Sequence, residues 1–174
     1  MSLDWSILHG IQQWIACPFL DFLMPKITAL GNAGAIWILA VGGLICTKKY
    51  RKQGIFMLIA LFAGELLGNI MMKHLFARPR PCTLDQSVQL LIARPMDYSF
   101  PSGHTVASAV GATILTKTNR RFGYAAIPLA VLIAFSRLYL YVHFHSDVVA
   151  GVILGVIIGI LVYRWGGKVL ERQK

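Results

Sequence analysis

The sequence predicts an all-α protein: a polytopic bundle of transmembrane helices with five or six spans. Hydrophobic residues make up 56% of the 174 residues and charged residues 14%, where an ordinary soluble domain carries about 25% charged residues. Mean hydropathy is +0.63, and several apolar runs approach the length a helix needs to cross the hydrocarbon core. Eleven of the 17 Lys and Arg residues flank those runs in three clusters: Lys48, Lys49, Arg51 and Lys52; Lys117, Arg120 and Arg121; Arg164, Lys168, Arg172 and Lys174. Such clusters mark cytoplasmic segments. The net charge of +10 therefore speaks for membrane topology, and no nucleic-acid partner is expected. Cys17, Cys46 and Cys82 are odd in number and irregularly spaced, which suggests neither a disulfide framework nor a zinc site.

The chain reads as one membrane-embedded domain over 1–174. Residues 3–29 are apolar but interrupted by Asp4, His9, Gln12, Gln13, Pro18, Asp21, Pro25 and Lys26. Trp5, Ile7, Leu8, Ile11, Trp14 and Ile15 recur at helical spacing, which predicts one or two helices lying in the membrane interface. A crossing here would make six spans. No basic stretch precedes an apolar core, so no cleavable signal peptide is expected.

Spans are predicted over 33–47 (reaching back towards Leu30), 54–76, 102–116, 124–140 and 147–165, with 166–174 as a cytoplasmic tail. Pro128 in the fourth is tolerated where neighbouring helices surround it. The alternation puts all three basic clusters inside, and 77–101 and 141–146 together on the other, outer side. The 77–101 segment holds Pro79, Pro81, Pro95 and Pro101, which makes it stiff enough for an ordered lid or rim. Gly151, Gly155 and Gly159 permit close helix approach, within the bundle first and in an oligomer second. Tyr139, Tyr141, Tyr163 and Trp165 fall near span ends, as an aromatic belt requires.

Three polar groups converge on the outer side. Lys73, Arg78 and Arg80 end the second span in KHLFARPRP; Ser102, Gly103 and His104 open the third in SFPSGHT; Arg137, His143 and Asp147 lie in SRLYLYVHFHSD. Ionisable residues at membrane depth are costly and mark function. Lys73, Arg80 and Arg137 supply fixed positive charge suited to phosphate. The Ser102 hydroxyl and the backbone N–H groups of the helix start suit an anion, and Gly103 allows close approach. His104 and His143 are two titratable groups, one to attack or deprotonate and the other to protonate a leaving oxygen. Asp147, four residues after His143, shares its face if the last helix starts near His143. Helix capping by Ser146 or Asp147 is the plainer reading of the same residues.

His145 ranks second to His143. Arg78 is a further candidate contact for a diphosphate or headgroup. Glu65, Asn69 and Lys73 share a helix face, Glu65 in a structural role. The seven acidic residues offer no pair at metal-ligand spacing beside the histidines, so no metal or other cofactor is expected. An anionic-lipid transporter or flippase is the competing class of function, although two histidines with an orienting aspartate exceed what binding needs.

Lys73-x6-Arg80-Pro81, Pro101-Ser102-Gly103-His104 and Ser136-Arg137-x5-His143-x3-Asp147 together resemble the three-part signature of the type 2 phosphatidic acid phosphatases, the PAP2 superfamily. The resemblance covers about 54–165. It implies a helical-bundle membrane enzyme that hydrolyses lipid phosphate or diphosphate esters without metal, similar to small bacterial members acting at the outer face. It further implies His143 as nucleophile through a phosphohistidine, Asp147 as its support and His104 as the acid for the leaving group. Lys73, Arg80, Ser102, Gly103 and Arg137 would bind the phosphoryl group. Undecaprenyl diphosphate is the leading substrate by this analogy, and phosphatidylglycerophosphate or phosphatidate follows.

Overall fold

A computed structural model describes residues 3–171, with side chains described to residue 167. Most of the expected 166–174 tail, with Lys168, Arg172 and Lys174, lies outside the described side chains. The described chain is all-helical. α1 (Leu3–Gly10) runs into a π-helical turn (Ile11–Ile15), and α2 (Pro18–Leu30) begins with proline at its first position, where a missing N–H removes no helix bond. α2 meets α3 (Ala35–Cys46) at 49° across a 3-10 turn at Asn32–Gly34, where Ala33 and Gly34 both take positive φ. α4 (Arg51–Gly64), π-helical turns (Glu65–Met72) and α5 (Lys73–Phe76) follow end to end. A short α6 (Pro81–Leu84) sits in the segment that links α5 to α7; α7 (Gly103–Thr118), α8 (Arg120–Tyr139) and α9 (His145–Glu171) complete the bundle.

Among the described residues three helical stretches are long and apolar enough to cross a membrane: Arg51–Leu84, Arg120–Tyr139 and His145–Gly167. The bent α2–α3 pair makes a fourth if its halves count as one span. α7 is shorter than these, and its place in the fold suits its composition. Its 16 residues are rich in Gly, Ala, Ser and Thr, and it stands in the middle, packed on α8, α9 and α4. A helix shielded from lipid has no need of a lipid-facing coat. The outer helices carry that coat: Leu39, Phe62, Val131, Ile153 and Leu161 are all exposed.

The glycine seam of α9 serves this centre. A Cβ on Gly155 would lie 2.5 Å from the Val106 carbonyl oxygen, and Cβ atoms on Gly151 and Gly159 would press on Thr105 and Thr113. The close approach these glycines permit is therefore made inside the chain, between α9 and α7. Trp37 of α3 is buried and donates its indole N–H to Ser108 Oγ of α7 at 3.1 Å, which satisfies the polar handle of a buried ring.

At one end of the bundle Asn119 donates to the Tyr50 hydroxyl at 3.3 Å, Tyr50 packs edge-on to Phe122, and Tyr163 donates to the Lys117 carbonyl at 2.9 Å. The first two basic clusters and the Tyr163–Arg164 turn of α9 meet there. The polar groups gather at the other end. Two expected belt residues are corrected here: Tyr139 and Tyr141 are 2% and 0% exposed. Tyr139 donates to Asp21 at 2.6 Å and Tyr141 to Asp85 at 2.8 Å, so both anchor chain segments over the end of α8. Trp165 is exposed, as a belt residue should be.

Candidate active site

A cavity of about 890 Å³ opens between the α2–α3 break, α4 and the start of α7. Lys73, Arg80, Gly103, His104, Arg137 and His143 line it. The sequence signals that identified them lie up to 70 residues apart, and the fold gives each a separate support. Lys73 stands where the π-helical turns give way to α5, and π-turns are frequent at functional sites. Arg80 immediately precedes α6, Gly103 and His104 open α7, and Arg137 lies in the last turn of α8.

The charges are buried. Arg80 and Arg137 are 3% and 4% exposed. Arg137 donates one Nη1 bond to Thr28 Oγ1 at 2.6 Å, while its buried Nε has no partner. An orphaned guanidinium donor in a cavity is costly unless an anion completes it. No side chain caps the start of α7, which leaves the N–H groups of its first turn turned towards the same end of the bundle. Among the described residues no group of three or more His, Cys, Asp or Glu side chains is arranged to hold a metal ion.

His143 is 1% exposed and its Nε2 lies 3.0 Å from Arg80 Nη1. A guanidinium only donates, so Nε2 accepts and the ring proton sits on Nδ1, facing Asp147. The Nδ1 to Asp147 Oδ2 distance is 3.6 Å, longer than a hydrogen bond, and Nδ1 has no other partner. The expected shared helix face is modified: α9 starts at His145, so His143 precedes the helix and Asp147 lies in its first turn. Asp147 Oδ2 accepts the Phe144 N–H at 2.8 Å, as the third residue of a helix does when it caps the start. Capping and pairing with His143 are thus one carboxylate's two tasks. Ser99 Oγ also donates to Oδ2, at 2.5 Å.

His104 Nε2 lies 3.0 Å from Asn32 Oδ1 on the α2–α3 break. Gly31 makes room for it, since a Cβ there would sit 2.7 Å from the His104 ring. Ser102 and Asp147 stand behind the cavity wall. The Ser102 N–H goes to the Asp147 carbonyl at 3.1 Å, which removes one of the N–H groups expected to face an anion. Its Oγ accepts from Thr105 at 3.0 Å, leaving the Ser102 hydroxyl proton to donate. His145, ranked second, does not line the cavity.

Besides Asn32, sequence reasoning missed Asp97. Its carboxylate bridges Lys73 Nζ and Arg80 Nη2, the latter at 2.6 Å, and its carbonyl accepts from Arg80 Nε at 2.8 Å. Burial pushes this carboxyl up, but the Lys73 bond and the Arg80 charge outweigh burial and hold it down at about 2. Nothing in local spacing marks Asp97, because it arrives from the lid. Arg94, Glu65 and Asn69 also line the cavity, Asn69 donating to Glu65 at 2.6 Å. Arg78 points away from the cavity, to Asp147 and Asp4.

The family model of the PAP2 superfamily matches residues 53–171. An undecaprenyl-diphosphatase of Sulfolobus acidocaldarius is 36% identical over 117 residues, which is 67% of this chain and 56% of that protein. This chain therefore spans little more than half of that relative. An undecaprenyl-diphosphatase, BcrC, of Bacillus subtilis is 30% identical over 91% of this chain and 80% of its own length. The crystal structure of a transmembrane PAP2-type phosphatidylglycerolphosphate phosphatase from Bacillus subtilis superposes with a TM-score of 0.78 at 30% identity, covering 96% of this chain and 86% of that one.

Proposed function

The chain belongs to the PAP2 superfamily of phosphatases, and on that premise we propose that it hydrolyses a lipid phosphate or diphosphate through a phosphohistidine on His143. The observation that carries this reading is the cavity itself. Lys73, Arg80, Arg137, His104 and His143 line it, and Ile38, Leu58, Leu61 and Phe62 are among its apolar lining. A cationic seat with two histidines, continued by an apolar groove among membrane-facing helices, fits a phosphate carried on a hydrocarbon chain.

In the proposed reaction the phosphoryl group takes the place of the Asp97 carboxylate on Lys73 and Arg80 and completes Arg137. His143 Nε2 leaves Arg80 and attacks phosphorus. The bond from phosphorus to the leaving oxygen breaks as His104 gives that oxygen a proton, while Asp147 stabilises the charge gained by the imidazole. Water then attacks the phosphohistidine, His104 takes its proton, and the P–N bond breaks to release inorganic phosphate. Fixed cations and helix N–H groups supply the electrostatic stabilisation. Gly103 completes the phosphate seat through its N–H, and Ser102, behind the wall, supports the start of α7 from which that N–H points.

The two undecaprenyl-diphosphatase relatives favour undecaprenyl diphosphate as substrate, and the structural neighbour makes phosphatidylglycerophosphate the next. We read the bundle as five spans, with α7 as the shielded one and α1 in the interface. The basic clusters then face the cytoplasm of a plasma-membrane protein, and the cavity opens at the outer face. The test is phosphate release by the purified protein across a panel of lipid phosphates and diphosphates, with and without excess EDTA. Release that persists in EDTA supports the reading. Release lost on chelation and restored by magnesium refutes the metal-free mechanism, and binding without release from any lipid favours a transporter.

A further inference from the structure

Asp147 is 0% exposed, yet the geometry gives its charge to a residue outside the three-part signature. A carboxylate removed from water is stable only when paired and hydrogen-bonded. His143 is neutral in the tautomer that Arg80 imposes, and 3.6 Å away. The paired cation is Arg78, whose Nη1 donates to Asp147 Oδ1 at 2.6 Å and to Ser146 Oγ at 2.7 Å. Arg78 is itself fixed from three sides. Its Nη2 donates to Asp4 Oδ2 at 2.8 Å, its guanidinium lies 4.1 Å from the centre of the Phe144 ring, and its carbonyl accepts the Ser99 N–H. Asp4 is fixed in turn by the Ser146 N–H at 2.9 Å and the Ser146 hydroxyl at 2.7 Å. Trp5, the next residue of α1, meets Phe144 edge-on at 5.1 Å.

We infer that Asp4 and Arg78 are positioning residues for the catalytic pair, a relay through which α1 sets the orientation and charge of Asp147. Arg78 holds Oδ1, so that Oδ2 faces the His143 Nδ1–H. Asp4 neutralises Arg78, and this leaves the Asp147 charge for the imidazole when it becomes cationic on attacking phosphorus. Without Asp4, Arg78 would spend its whole charge on Asp147 and weaken that support. The relay places part of the active site in a helix that precedes the family match, which begins at residue 53. It rests on the proposed roles of His143 and Asp147.

The test compares the full-length Asp4→Asn, Arg78→Gln and double variants in detergent. Supporting partners of catalytic groups typically act by about 10- to 100-fold, and the relay predicts about a tenfold fall in kcat for D4N and about 100-fold for R78Q, each with KM unchanged. The double variant should be no slower than R78Q alone, because D4N acts through Arg78. Multiplying effects in the double variant, or an R78Q variant that raises KM at constant kcat, would overturn the relay. Nitrogen-15 spectra of the His143 ring give a readout that needs no turnover. The Nδ1–H proton and nitrogen shifts, which report how Asp147 faces the ring, should move in R78Q while the tautomer that Arg80 imposes is kept, and unchanged Nδ1 shifts overturn the inference. If the wild type releases no phosphate, the functional reading fails, and these spectra still decide the relay.

Discussion

Replacing Asp97 by Asn tests how the cavity receives its substrate. In the resting protein the Asp97 carboxylate sits on Lys73 and Arg80, whose side chains are 8% and 3% exposed, while its own side chain is 53% exposed. It thus offers the cations two oxygens much as a phosphoryl group would, from the segment that joins α6 to α7. Two such contacts at an effective dielectric of about 20 would each be worth about 4 kcal/mol. Solvent screening of a half-exposed carboxylate reduces the displaceable share to about 1 kcal/mol. Asparagine keeps the shape and the backbone bond from Arg80 Nε but surrenders the charge. Substrate no longer has to displace an anion, so KM should fall about fivefold, with kcat little changed. Inorganic vanadate, which needs the same cations, should inhibit about fivefold more tightly. Steady-state phosphate release with vanadate titration measures both. A raised KM, or vanadate inhibition that does not move, would show that Asp97 stays in place as a strut and that the phosphoryl group binds beside it.

Three further outcomes follow from the same geometry. His143→Ala should reduce phosphate release by at least about a thousandfold while vanadate still binds through Lys73, Arg80 and Arg137; substantial release by this variant would remove His143 as nucleophile. Gly155→Val should lower the thermal unfolding midpoint in detergent, since its Cβ alone would meet the Val106 carbonyl at 2.5 Å and Ala109 Cβ at 2.7 Å, an overpacking cost of about 1–3 kcal/mol; an unchanged midpoint would mean that α7 and α9 are not locked. Asp97 is held below its ordinary 3.8, at about 2, so its hold on the lid is complete above that ordinary value and is lost as pH falls towards about 2. Hydrogen exchange over 85–101 should therefore be slower in the wild type than in Asp97→Asn near neutral pH, and the two should converge at low pH; a difference that persists there would detach the lid from this carboxylate.

What was legible in the sequence was whatever repeats along one helix or sits at a helix end. Apolar length gave the outer helices, and small residues at four-residue spacing gave the α9 seam against α7. The cationic and histidine groups at span ends gave the cavity, because alternation across a membrane leaves such ends few places to be. The helix start at His145 was harder to see: the same four-residue spacing serves a shared face and a cap, and here Asp147 caps Phe144 while still facing His143. Tyr139 and Tyr141 misled because an aromatic near a span end fits a belt and an anchor equally well. Their acidic partners, Asp21 and Asp85, lie 118 and 56 residues away.

Asp4, Asp97 and Asn32 were illegible for a shared reason. Asp97 and Asn32 lie in segments without strong periodicity and Asp4 at the start of a helix whose spacing marks only its apolar residues, and each acts on a charged or polar group that a different segment supplies: Arg78 for Asp4, Lys73 with Arg80 for Asp97, and His104 for Asn32. A carboxylate alone in a loop carries no sign of its partner. It becomes informative once the partner is known to be a buried cation, because burying that cation uncompensated would cost several kcal/mol. The useful inference therefore runs from cation to anion. Lys73, Arg78 and Arg80 are more basic groups than one phosphate seat needs at rest, so the chain had to hold acids for them. Asp97 answers for the two that face the cavity, as an anion exposed enough to yield. Asp4 and Asp147 answer for the one that faces away, where the anion is shielded and stays.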